Sequence, residues 1–198
     1  EVLTIFMAML FNWPAPLAVA QILWIHLICD GPSDIVLGFE PKEEGIMDEP
    51  PKSLKEPILT RLGGTLIAII SVSSAAFALM MFGHFYSVHH NPAEGQSIAF
   101  ASFAINSMVY IFAYRSMRNS LFKSGPLSRN KPLIWSVLAG LLTALLAFII
   151  TPIRNLLGIV PLSVVEWLDV VGVALSLLVI VEIGKAISLK MHGRKRTA

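Results

Sequence analysis

The chain contains a single cysteine, Cys29, so no internal disulfide can staple it. Charge is scarce as well: 14% of its 198 residues are Asp, Glu, Lys or Arg against 55% hydrophobic, and the mean hydropathy is +0.71. A soluble domain of this size carries far more charge, which argues against that class and predicts an integral membrane protein. No Gly-rich phosphate loop, Asp-Lys-Thr-Gly motif or Gly-Asp-Gly hinge occurs, so these residues are expected neither to bind ATP nor to accept its phosphate. No basic stretch precedes the first apolar run, which removes Ala18-Val19-Ala20 as a signal-peptidase site. No nucleic-acid partner is expected. The first residue is Glu1 inside an apolar run, which reads as the C-terminal part of a longer protein.

What is present is a series of apolar stretches. Residues 1–11 supply about half of the roughly 20 residues that a spanning helix needs. Asn12-Trp13-Pro14-Ala15-Pro16 then reads as a tight turn with an interfacial Trp, and 17–37 as a full span interrupted at Gly31-Pro32. Further spans are expected over 62–82, 98–114, 133–150 and 164–187. The fold class is therefore an all-α polytopic transmembrane bundle, a single membrane domain over 1–198 with one partial and five full spanning helices. Gly63, Gly64, Ser71, Ser73, Ser74, Ala75 and Ala76 supply small side chains for close helix approach in the third segment.

The basic residues orient it. Lys42, Lys52, Lys55 and Arg61 fall in one connection, Arg115, Arg118, Lys123, Arg129 and Lys131 in a second, and Lys185, Lys190, Arg194, Lys195 and Arg196 at the end; only Arg154 lies elsewhere. The positive-inside rule places loops 38–61 and 115–132 and the tail 188–198 in the cytoplasm, and turns 12–16, 83–97 and 151–163 outside.

One stretch departs from passive apolarity. His26, Cys29 and Asp30 stand at i, i+3 and i+4, which can project all three to one helix face at membrane depth. A carboxylate there is costly and usually faces a bundle interior or an ion path. Gly31-Pro32 follows directly; proline removes a backbone donor and loosens the ladder, leaving carbonyls beside Asp30. A carboxylate and free carbonyls at one level make a cation site. Counting back from the turn at about 1.5 Å per residue puts Glu1 roughly 16 Å deep, in the same layer.

Pro16-Leu17, Gln21 through Gly31, Leu37-Gly38-Phe39-Glu40-Pro41 and Ile46-Met47-Asp48-Glu49-Pro50-Pro51 resemble the sixth transmembrane helix and following cytoplasmic loop of cation-transporting P-type ATPases of the calcium-pump type. Lys55-Glu56-Pro57-Ile58, Tyr114-Arg115-Ser116, Glu166-Trp167-Leu168 and Glu182-Ile183-Gly184-Lys185 extend the resemblance to the tenth helix. It implies that residues 26, 29 and 30, typically Asn, Thr and Asp in the family, supply ligands to the transported ion. Only Asp30 is retained here. It also implies an ion-ligating Glu at Glu1, ATP and Mg in the parent protein, and contact of 38–61 with upstream cytoplasmic ATPase domains. Asn106-Ser107 replace the Glu of two-site calcium pumps, which implies at most one site and leaves Asn106 and Ser107 as neighbours of the ligands.

The candidate cation-binding set is thus Asp30, Glu1, His26 and Cys29, with Asp30 and Glu1 as the metal-ligating carboxylates and no catalytic residue. His26 is either a ligand or a hydrogen-bonded packing residue, and Cys29 either a ligand or a small apolar one. Glu182 and Lys185 read as a structural pair, and His84, His89 and His90 as solvated loop residues. The expected function is the ion-binding and supporting helices of an ATP-driven cation pump, unable to hydrolyse ATP by itself. The alternatives are a passive channel or secondary transporter, or a structural membrane module. Calcium, other metal ions, monovalent cations and protons all stay open as cargo, because imidazole and thiolate favour softer metals than calcium.

Overall fold

A computed structural model describes residues 1–41, 61–89, 91–115 and 130–193. Among these the chain is all-helical. Helix α1 is Val2–Leu10, and α2 (Val19–Trp24), a π-helical segment (Ile25–Asp30) and α3 (Gly31–Leu37) follow one another without a gap. Then come α4 (Arg61–His89), α5 (Pro92–Tyr114), α6 (Lys131–Ile149), α7 (Thr151–Leu157) and α8 (Val164–Gly193).

Four of these, α4, α5, α6 and α8, are long and apolar enough to cross a bilayer. The protein is an integral membrane protein. Neither α1 nor any single piece of 19–37 meets that length alone. The connections 42–60 and 116–129, His90 and the tail 194–198, with most of the basic residues used for orientation, lie outside the described residues.

Helix boundaries depart from expectation where capping residues decide them. The outer connection expected over 83–97 shrinks, because α4 continues through His89 and α5 begins at Pro92. Asn91 caps α5 by accepting the Ala93 N–H, and proline in the first turn loses no needed donor. His84 is consequently a helical residue, edge-on to Phe85, and not a loop residue. Similarly, 151–163 contains α7. Pro152 in its first turn separates it from α6, and Gly158 closes it at φ 64°, the left-handed geometry that glycine adopts without penalty. Ser163 and Glu166 form a reciprocal capping box at the start of α8.

Helix α5 is the hub. It packs against α4, α6, α8 and the π segment. Of its membrane-crossing stretch 72% is buried, against 39%, 33% and 28% for α4, α6 and α8, whose outer faces carry the apolar surface that lipid covers. Its small residues Ala99, Ala101, Ser102 and Ala104 are fully or almost fully buried and let neighbours close on it from several sides. The turn after α1 is held by Trp13, whose ring packs between Phe11 and Phe82 and lies directly over Gly83, where a Cβ would come within 2.5 Å of it. Asn12, at φ 55°, makes the reversal, a conformation that asparagine tolerates.

Candidate cation site

The site is built on the disrupted middle of 19–37. Disruption falls one turn earlier than Gly31-Pro32 itself: the segment widens into a π turn over Ile25–Asp30, in which the Gly31 N–H bonds to the His26 carbonyl, and α3 restarts at Gly31. Pro32 has no N–H to offer to Leu27 or Ile28, and its ring crowds the preceding turn, so widening by one residue relieves the clash while keeping the chain helical. Gly31 fits because a Cβ there would lie 3.1 Å from the His26 carbonyl oxygen.

The π turn also redistributes the three candidate side chains. His26 and Asp30 stay together, with His26 Nδ1 3.9 Å from Asp30 Oδ2. His26 Nε2 lies 2.7 Å from Glu1 Oε2, so one imidazole stands between two carboxylates from different helices. Cys29 goes elsewhere. It is fully buried against α6, its sulfur 4.0 Å from Thr143 Oγ1, because an i to i+5 turn spreads residues 26, 29 and 30 over a wider arc than an α turn.

Glu1, His26, Asp30 and Ser107 line a half-open cavity of about 740 Å³, together with Ile70, Ser71, Ser74 and Phe103. Asp30 Oδ1 is buried and accepts no hydrogen bond. An ionised oxygen left bare in a low-dielectric setting is strongly attractive to a cation. Among the described residues no group of three or more His, Cys, Asp or Glu side chains converges as a metal cluster. The Ser107 hydroxyl, beside Asp30, donates to the Ala104 carbonyl. Asn106 is 1% exposed with both amide atoms unpartnered, and it does not line this cavity.

Behind the site, a polar seam joins the helix to α6. Ser33 Oγ is 3.1 Å from Ser136 Oγ, Cys29 faces Thr143, and between them Gly140 lets α6 approach the Cys29 carbonyl, which a Cβ would meet at 3.0 Å. About two turns before Cys29, buried Gln21 donates to the Leu157 carbonyl at the end of α7. Arg115 and Asn130 meet Glu40 at the other end of the helix. These contacts were not expected from sequence, since each pairs residues far apart in the chain; polarity within an apolar run is the signal that marks Gln21 and Ser33.

The profile of the family described as "Cation transporting ATPase, C-terminus" matches residues 14–187. The chain belongs to this family. A calcium-transporting ATPase type 2C member 1 from Pongo abelii is 30% identical over 181 residues, covering 91% of this chain and 20% of its own length. Calcium-transporting ATPase 1 of Bacillus cereus is 28% identical over 204 residues (93% and 22%), and a calcium-transporting ATPase of Bacillus subtilis 30% over 181 residues (88% and 19%). The chain spans about a fifth of the length of these relatives. Within this cation-transporting ATPase region, His26, Cys29 and Asp30 fall inside the family match and Glu1 precedes it.

Proposed function

We propose that this chain forms the ion-binding and supporting membrane helices of an ATP-driven cation pump. The observation that carries the reading is the π turn that sets Asp30, with a bare buried oxygen, in one cavity with Glu1. Asp30 is the principal ligand, Glu1 the second carboxylate, and Ser107 a hydroxyl in the same cavity. His26 occupies the space between the carboxylates when no cation is there and must give up its contact with Glu1 when one arrives. Cys29 holds the helix to α6 and does not ligate.

The residues of this chain include no nucleotide-binding motif, and no step performed by ATP or Mg is assigned to them. In this proposal both belong to the cytoplasmic part of the parent protein, which 38–61 contacts because it continues the helix that carries the site. Loops 38–61 and 115–132 and the C-terminus face the cytoplasm, and α7 faces outward. One membrane domain then comprises six segments: the hairpin of α1 with 19–37, and α4, α5, α6 and α8.

The test is phosphoenzyme formation from ATP by the full-length protein across a panel of cations, with Asp30→Asn beside the native protein. Cation-dependent phosphorylation that Asp30→Asn abolishes supports the reading. Cation flux without any phosphoenzyme would favour a passive route through the same helices.

A further inference from the structure

The helix that carries Asp30 ends in an ion pair that the cation site itself does not use. From Gly31 the chain runs as α3 and closes in a tight turn with hydrogen bonds from Gly38 to Ile35, Phe39 to Val36 and Glu40 to Leu37, so Asp30 and Glu40 are joined by a short helical rod roughly 15 Å long. At its far end Glu40 Oε1 accepts from Arg115 Nε at 2.8 Å and lies 2.6 Å from Arg115 Nη2. Glu40 Oε2 accepts from Asn130 Nδ2, also at 2.8 Å. Arg115 follows the last turn of α5. Asn130 caps α6, its Oδ1 accepting the Leu133 N–H.

The pair is enclosed: the Arg115 side chain is 1% exposed and that of Glu40 17%. Such pairs are weak sources of stability, because desolvation offsets the attraction, but they are geometrically demanding. Three elements are brought into one register here. Two of them, α5 and the site helix, both line the cation cavity, through Ser107 and Asp30.

We infer that Glu40, held by Arg115 and Asn130, is a positioning residue for cation binding that fixes the depth of Asp30 relative to Ser107 by anchoring the far end of the rod. This rests on the cation-site reading above. With the anchor released, the rod keeps its packing on α5 and the hydroxyl and thiol seam to α6, which resist sliding less than a buried ion pair does. Asp30 then samples several depths, and the cation meets the productive one only part of the time.

The decisive variant is the double substitution Glu40→Gln with Arg115→Met in the full-length protein, which removes both charges and leaves neither buried alone. Cation-dependent phosphoenzyme formation is titrated for native, double-substituted and Asp30→Asn proteins, with thermal unfolding in detergent as the folding control. The double variant should need about a tenfold higher cation concentration for half-saturation with the maximum signal retained, within the range of typical coupling between sites. Glu40→Asp, which keeps the charge, recovers most of the affinity. An unchanged half-saturating concentration in a folded double variant, or a loss of maximum signal alone, overturns the positioning role while leaving the site intact. Cation dependence that survives Asp30→Asn overturns the site, and the anchor with it.

Discussion

Replacing Gly140 by alanine tests whether α6 really seats the π segment, and the structure supplies its own control. In isolation the substitution favours a helix by about 0.8–1.0 kcal/mol. At Gly172, on the exposed face of α8, a Cβ meets nothing within 4 Å, so Gly172→Ala is expected to stabilise by roughly that amount. At Gly140 the same Cβ would lie 2.7 Å from Met108 Sδ and 3.0 Å from the Cys29 carbonyl oxygen. Met108 is 1% exposed, and the carbonyl, which cannot swing aside as a side chain can, belongs to the backbone of the π turn. Overpacking of this kind costs about 1–3 kcal/mol, which exceeds or cancels the helical gain and leaves Gly140→Ala destabilised by roughly 0–2 kcal/mol. Thermal unfolding of the full-length protein in mild detergent should therefore rank Gly172→Ala above native and Gly140→Ala at or below it. Because the displaced atom lies next to Asp30, Gly140→Ala should also weaken cation-dependent phosphorylation, and Gly172→Ala should not. Equal stabilisation by both alanines would refute the close approach of α6 to the π segment.

The remaining expectations concern the site and its orientation. Asp30→Asn should abolish cation-dependent phosphoenzyme formation in a folded protein, since it removes the charge of a carboxylate with a bare buried oxygen; retained cation affinity would remove Asp30 from the ligands. His26→Asn should strengthen calcium binding several-fold in equilibrium titrations, because it frees Glu1 Oε2 from a 2.7 Å contact and substitutes an amide oxygen that suits a hard cation; superimposable curves would leave His26 a packing residue. With Cys29 replaced, a cysteine at exposed Asn155 of α7 should react with an impermeant reagent only from outside, and one at Ser128 only from the cytoplasm. Labelling with the opposite sidedness at either position would overturn the six-segment arrangement.

Composition and periodicity sufficed for the class of this protein. An apolar helix has to cover its whole surface with protein or bilayer lipid, so length and hydropathy alone mark α4, α5, α6 and α8, and the strong local signal of Asp30-Gly31-Pro32 marks where a helix cannot continue normally. Proximity of Glu1 to His26 was legible from depth counting, because a short turn forces two hairpin helices into register. Other features were beyond a one-dimensional reading. Whether Pro32 breaks the helix or widens it depends on whether packing on α6 holds the turn together, and that choice sends Cys29 to Thr143 while leaving His26 beside Asp30. The ends of α4 and α5 were set by an Asn91 cap that outcompetes the loop expected from polarity. Glu40, Arg115 and Asn130 read as three ordinary polar residues at the edges of apolar runs; only the folding of α5 and α6 around the site helix brings them together, because an ion pair between distant segments exists only once the chain has closed the loops between them.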